Sequence, residues 1–220
     1  MNISLHAFRD DAPEAQRLAT ALGMPLTFVD VHTFPDGETA PCVPVTTPTT
    51  LVYRSLHQPN AKFLELLLAV DAWRRNGAKR LVLIAPYLPY MRQDMAFASG
   101  QAVSQKVICG LLAQAFDAVL TVDPHLHRTA SLAQVMAGTE AVSISAAALL
   151  ARSLDPGNRL IVAGPDAESR QWVEAIAGPI GADMLIGEKR RIGDREVVVA
   201  FPNAQQVKGR PVVLVDDVIS

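Results

Sequence analysis

Carboxylates, cations and an imidazole recur along this chain just after short apolar runs, and their types are those that handle phosphates and sugars. Asp216 and Asp217 end the run Val-Val-Leu-Val at 212–215. Adjacent carboxylates accept hydrogen bonds from the neighbouring 2- and 3-hydroxyls of a ribose, or hold a metal ion that bridges to them. Asp123 and His125 follow the apolar stretch ending at Val122 and suit a divalent cation or acid–base chemistry. His127, two residues on, has the setting of a solvated loop residue. Asp166, in Ala-Gly-Pro-Asp, is a candidate companion ligand and equally an ordinary turn aspartate. Arg92 and Gln93 close a stiff Pro-Tyr-Leu-Pro-Tyr-Met segment and pair a bidentate anion binder with an amide. A surface loop with an Arg92–Asp94 ion pair is the alternative, but the position after a buried strand favours phosphate. Lys189-Arg190-Arg191 reads first as a solvated basic run. At a strand exit the same cations can neutralise charge on a transferring phosphoryl group. Phe34-Pro-Asp-Gly-Glu38 sets an aromatic face beside the acceptors Asp36 and Glu38, enough to stack a purine and accept from its amino group. Pro-Asp-Gly alone is turn chemistry, and Phe34 has an equal claim to the core.

These residues need strands to deliver them. The pattern predicts strands over Ile3–Phe8, Leu26–Val31, Leu51–Leu56, Leu81–Ala85, Ala118–Val122, Leu160–Ala163, Met184–Ile186, Glu196–Phe201 and Val212–Val215. Helices are predicted over Ala12–Leu22, from Pro59 to near Gly77, over Ala102–Phe116, Ala146–Ser153 with Ser145 as N-cap, and Ala167–Ala177. Pro41, Pro44 and Pro48 restrict their stretch to an edge strand or loop. Alternation of this kind predicts an α/β protein with parallel sheets and helices on both faces. In open sheets of that class ligands bind at the C-terminal strand edge, where the acids and cations fall. The run into Asp216 reads as a central parallel strand. A domain boundary is expected near residue 143, giving units of 1–143 and 144–220, the second incomplete as written.

Composition narrows the partners. A net charge of −2 over 220 residues gives no global attraction to nucleic acid or anionic membrane. No apolar run reaches the ~20 residues of a membrane span, and no secretion signal is visible. Cys42 and Cys109 are far apart and lack zinc-ligand spacing, which fits a reducing cytoplasm.

Taken together, in this order and spacing, the segments resemble the ribose-phosphate diphosphokinases, also called phosphoribosyl pyrophosphate synthetases, along essentially the whole chain. The resemblance implies two phosphoribosyltransferase-like domains, an ATP side and a ribose-5-phosphate side. Phe34, Asp36 and Glu38 correspond to an adenine-binding loop, and Arg92 and Gln93 to a triphosphate-contacting segment. His125 and Asp166 fall at the magnesium ligands, and Lys189 and Arg191 at the catalytic Lys-x-Arg. Asp216 and Asp217 open the ribose-5-phosphate loop, so the sequence breaks off within that motif. A polypeptide ending there is expected to have little or no activity. The implied reaction transfers the diphosphoryl group of ATP to the anomeric hydroxyl of ribose 5-phosphate, releasing AMP, with Mg2+ as cofactor. A cytoplasmic homo-oligomer is expected by the same likeness, with the Phe34 loop completing a neighbour's site.

Several positions depart from that pattern. Met95-Ala-Phe-Ala-Ser-Gly100 is short and lacks the extra basic residues many members carry, which is nearer the short archaeal type. Ala167-Glu-Ser169 stands where glycines are usual, and Glu168 would repel an incoming phosphate. Two rival functions use overlapping parts. A phosphoribosyltransferase shares the sugar loop but has no use for the Phe34 and Arg92-Gln93 segments. A non-catalytic regulatory subunit binds nucleotides without turnover, and the presence of Lys189, Arg191, His125 and Asp166 argues against it.

Overall fold

The computed structural model describes residues 2–126, 128–155, 157, 159–191 and 197–218, with the side chains of Arg190, Arg191 and Val197 excepted. The candidate His127 and the start of the predicted strand at Glu196 therefore lie outside the described residues. Two compact units are present, Met1–Ile144 and Ser145–Ser220.

The first unit is a seven-stranded sheet in the order β3-β2-β1-β4-β5-β6-β7. Its strands are β1 (Ile3–Phe8), β2 (Leu26–Thr33), β3 (Thr39–Cys42), β4 (Thr49–Tyr53), β5 (Arg80–Ile84), β6 (Ala118–Val122) and β7 (Glu140–Ile144). All neighbours pair in parallel except β3, which runs antiparallel to β2 at one edge. Pro41 lies on that edge strand, where a missing N–H is tolerated. Helix α1 (Ala12–Leu22) covers one face; α2 (Pro59–Arg75) and α3 (Ser104–Ala115) cover the other. Both faces of β1 are therefore covered, and its side chains alternate between them. Leu5 and Ala7 pack with Ala15 and Ala19 of α1, while Phe8 packs with Trp73 of α2. The four-residue helix α4 (Leu132–Val135) and β7 complete the unit. Neither was foreseen, and the predicted strand at Leu51–Leu56 begins and ends earlier.

In the second unit, a three-stranded parallel sheet has the order β12-β8-β9. It consists of β8 (Ile161–Gly164), β9 (Asp183–Ile186) and β12 (Val212–Leu214). Helices α5 (Ala147–Ser153) and α6 (Arg170–Ile180) share a core with Val162 and Val215. Ser145 accepts a hydrogen bond from the Ala147 N–H at 3.2 Å, close to its expected capping role. A separate antiparallel hairpin joins β10 (Glu188–Arg191) to β11 (Val197–Ala200). β12 is parallel as expected but lies at the edge of the described sheet, not at its centre. Val212 and Leu214 are 44% and 59% exposed. Its apolar run signals burial on one face only.

Candidate functional site

In parallel sheets the loops after successive strands emerge along one edge, so strand order decides which loops meet. In the first unit β5 and β6 are neighbours, and the segments that follow them come together. After Ala85 the chain makes a non-helical excursion pinned by the buried side chains of Leu88 and Met91. Tyr90 takes a left-handed backbone (φ 64°), and a turn hydrogen bond runs from the Gln93 N–H to the Tyr90 carbonyl. Gln105, buried at the start of α3, holds the segment from below. Its amide donates to the Met91 carbonyl at 3.3 Å, and its N–H to the Gln93 carbonyl at 3.2 Å. Arg92 and Gln93 are thereby turned to the surface.

The β6 exit lies alongside. The Val122 N–H donates to the Pro86 carbonyl at 3.3 Å, and Arg128 pairs with the shielded carboxylate of Asp94 at 2.7 Å. Asp123 has φ 39°, a region non-glycine residues rarely occupy, and its N–H donates to the Ile144 carbonyl at 2.9 Å. Pro124 is buried and His125 half-buried. Arg92-Gln93 and Asp123-His125 thus share one corner of the sheet edge. Neither Gln105 nor Arg128 was picked out from sequence. The signal for Arg128 was its charge beside Asp123-Pro-His; nothing distinguished Gln105 from any other helical glutamine.

The Phe34 segment is the hairpin turn between β2 and β3. It is closed by hydrogen bonds from the Phe34 N–H to the Glu38 carbonyl (2.8 Å) and from the Gly37 N–H to the Phe34 carbonyl (2.9 Å). Gly37, at φ 91°, takes the conformation the turn demands. One Asp36 carboxylate oxygen accepts from the Glu38 N–H at 3.1 Å, so this acid serves the turn itself. Phe34 stands exposed, edge-on to His32 with ring centroids 4.6 Å apart. It is not a core residue. β2 is three strands from β5, a separation of about 14 Å at ordinary strand spacing, so the hairpin is not brought against Arg92.

In the second unit the strand order β12-β8-β9 gathers three predicted groups around the end of β8. Gly164-Pro165-Asp166 leaves β8 itself, Asp216-Asp217 leaves β12, and Gly187 leads from β9 into the hairpin carrying Lys189. Backbone hydrogen bonds tie the exits: Val215 N–H to the Ala163 carbonyl and Gly187 N–H to the Gly164 carbonyl, both 2.8 Å. Glycine is required at 187, because a Cβ there would lie 2.4 Å from the Pro165 carbonyl oxygen. The Lys189 ammonium reaches Asp166 Oδ2 at 3.6 Å. Asp166 Oδ1 accepts from the N–H groups of Glu168 (3.0 Å) and Ser169 (3.2 Å). Burial, and then the charges of Asp217 and Asp166, raise the carboxyl pKa of Asp216; a hydrogen bond from the Asp217 N–H opposes them. The cations expected in a loop instead lie on a β-strand, Lys189 opposite Val199. The backbone of Arg191 pairs with Val197, and its side chain lies outside the described residues.

No group of three or more His, Cys, Asp or Glu spaced to grip a metal occurs among the described residues. The donors around β8 nonetheless fit magnesium. They are hard carboxylate oxygens with excess negative charge, and magnesium binds through one or two carboxylates while keeping several waters.

A model of the N-terminal domain of ribose phosphate pyrophosphokinase matches residues 3–115. The ribose-phosphate pyrophosphokinase of Methanopyrus kandleri is 34% identical over 206 residues, covering 93% of this chain and 70% of the relative. That of Pyrococcus furiosus is 32% identical over 197 residues, covering 89% and 69%. The crystal structure of phosphoribosylpyrophosphate synthetase from Mycobacterium smegmatis superposes with a TM-score of 0.81 at 25% identity, covering 98% of this chain and 71% of that one.

Proposed function

The chain belongs to the ribose-phosphate pyrophosphokinase family, and on that premise we propose how its residues divide the work. It is an ATP-dependent diphosphotransferase: the diphosphoryl group of ATP passes to the anomeric hydroxyl of ribose 5-phosphate, giving phosphoribosyl pyrophosphate and AMP. The task is an in-line displacement at the β-phosphorus, in which negative charge on the bridging and equatorial oxygens must be compensated.

Phe34 stacks the adenine, with Asp36 and Glu38 as polar neighbours, and Arg92 and Gln93 receive the triphosphate. Asp216 and Asp217 accept hydrogen bonds from the ribose hydroxyls and so orient the attacking sugar. Lys189 and Arg191 neutralise the charge that develops on the transferring group. His125 and Asp166, each in its own unit, are assigned as magnesium ligands. Bound magnesium supplies charge neutralisation and polarises the phosphate oxygens. The observation that supports the assignment is the meeting of Asp166, Lys189 and Asp216 at the end of β8, where an ammonium and two carboxylates are neighbours.

The likeness also supports a homo-oligomer, and the phosphorylated substrates support a cytoplasmic location. No described helix is long and apolar enough to cross a membrane. The test is product analysis of the full-length protein supplied with ATP, ribose 5-phosphate and Mg2+. Equimolar AMP and phosphoribosyl pyrophosphate are expected. Consumption of phosphoribosyl pyrophosphate with a free base, and no AMP, would instead identify a phosphoribosyltransferase; nucleotide binding without turnover would identify a regulatory subunit.

A further inference from the structure

Ser169 occupies the N-cap position of α6, where a serine hydroxyl ordinarily accepts from the first free N–H groups of the helix. Here it makes no such bond. The hydroxyl turns back instead, donating to the Asp166 carbonyl at 2.6 Å and accepting from the Asp166 N–H at 3.3 Å. The Ser169 N–H meanwhile holds Asp166 Oδ1. Ser169 is fully buried, and its seat has no slack: a Cβ on Gly164 would lie 2.1 Å from the hydroxyl oxygen. One carboxylate oxygen of Asp166 is thereby committed to backbone amides, and the other, Oδ2, is the one that faces the Lys189 ammonium.

We infer that Ser169 is a positioning residue for the diphosphoryl transfer: by locking the Asp166 turn it presents Oδ2, and only Oδ2, to a cation. The inference rests on the assignment of Asp166 as a magnesium ligand. It also gives a function to the one serine in a stretch where the family resemblance led us to expect glycine. A glycine there would leave the turn to find its geometry on binding. The serine fixes it beforehand and so lowers the cost of ordering the ligand. Lys189 is the resident counter-ion of Oδ2, and an incoming divalent ion takes its place.

The test measures Mn2+ binding to the full-length protein by electron paramagnetic resonance, in wild type, Ser169→Ala and Asp166→Asn, alongside the Mg2+ dependence of turnover and the melting temperature. Loss of a group that orients a metal ligand typically weakens the metal by about tenfold or more. Ser169→Ala is expected to raise the Mn2+ dissociation constant by that factor, and its turnover is expected to recover at high Mg2+. A purely structural serine would show neither effect. Unchanged Mn2+ binding in Asp166→Asn would remove the magnesium assignment itself. Weakened binding in Asp166→Asn with normal binding and Mg2+ dependence in Ser169→Ala would overturn the positioning role alone. Should Ser169→Ala fail to fold, Ser169→Gly, well tolerated at a helix N-cap, is measured in its place, and normal Mn2+ affinity there overturns the role equally.

Discussion

At the scale of single residues, the proposed roles at the end of β8 separate the groups that bind from the group that compensates charge. Lys189 is half-exposed on a strand, and its one described ion pair is with Asp166 at 3.6 Å, too long for a committed hydrogen bond. An ammonium held this loosely can transfer to a phosphate oxygen at little cost. Lys189→Ala is therefore expected to lower turnover by at least about 100-fold, as for loss of an electrostatic stabiliser. Steady-state kinetics on the full-length protein giving near-normal turnover would remove Lys189 from the mechanism. Asp216 differs, because its burial and acidic neighbours, Asp217 and Asp166, work against its charge. A sugar hydroxyl donating to this carboxylate stabilises the ionised form. Asp216→Asn should then raise KM for ribose 5-phosphate by about tenfold or more while changing kcat less. The reverse split would indicate proton transfer instead of sugar binding.

At the scale of the element, the first unit carries a feature that no local pattern announced. The chain reverses direction across the sheet between β1 and β4, the topological switch point where such folds often bind ligands. Here that position is filled from within. Arg54, 1% exposed, stacks over the Phe8 ring at 4.0 Å and pairs with Asp10, with Asp11 at 3.1 Å and with Glu65 at 2.6 Å. Lys62 adds a second cation near both aspartates. Burial tends to raise both carboxyls; Arg54 and Lys62 outweigh it at Asp10, whose pKa falls, but not at the more enclosed Asp11. Arg54→Met should cost about 3–5 kcal/mol in urea unfolding, because it removes the nearest cation from the buried Asp11 and from Glu65. Adding Asp11→Asn and Glu65→Gln should recover part of the loss; no recovery would mean that packing against Phe8 dominates. β1 holds a second buried polar group. His6 accepts a hydrogen bond from the Trp73 indole at 2.9 Å, and burial lowers its pKa to about 4, partly offset by the Val45 backbone. The unfolded imidazole takes up a proton near its ordinary 6.5 and the folded one does not, so stability is full above that value and declines as pH falls toward 4. Between pH 6.5 and about pH 5 the decline from this group is about 2 kcal/mol, and His6→Gln should flatten that part of the profile. An unchanged slope in the variant would assign the decline to other groups.

What could be foretold at this scale followed the strength of periodic burial. β1, α1 and β6 match their predicted limits because apolar residues repeat there with the right period and end at turn residues. β7 was missed because only Ala141 of its five residues is even partly buried, and α4 because four residues make one turn of helix. β10 reads as solvated charge, since Glu-Lys-Arg-Arg pairs through its backbone and gives no side-chain signal. The acids and cations of the candidate site were visible by type, and the grouping of Asp166 with Lys189 and Asp216 depended on the order β12-β8-β9. Ser169 was noticed only as a replacement for glycine, although a serine three residues after an aspartate is a spacing that allows mutual turn bonding.

At the scale of the whole molecule, the open question is where the Phe34 hairpin acts. It projects from the β2–β3 edge of its sheet with the aromatic ring exposed, and in its own unit it stands three strands away from the Arg92 corner. An exposed phenylalanine on a short, hydrogen-bonded turn is held ready for a flat apolar surface. In an oligomer that surface can be the adenine bound by a neighbouring copy, and the proposed assembly makes this a matter of symmetry. Complementation decides it. Phe34→Ala and Lys189→Ala should each be poorly active alone. If the hairpin serves a neighbour, co-refolding the two variants in equal amounts creates sites with a native hairpin from one chain and a native lysine from the other. Random pairing into dimers makes half of them mixed, and one of the two sites in each is intact, so about a quarter of wild-type activity should return. If the hairpin serves its own chain, every site in a mixed assembly carries one defect and no activity returns. Recovery therefore assigns the adenine contact to the neighbouring subunit, and its absence returns that contact to the chain that bears the lysine.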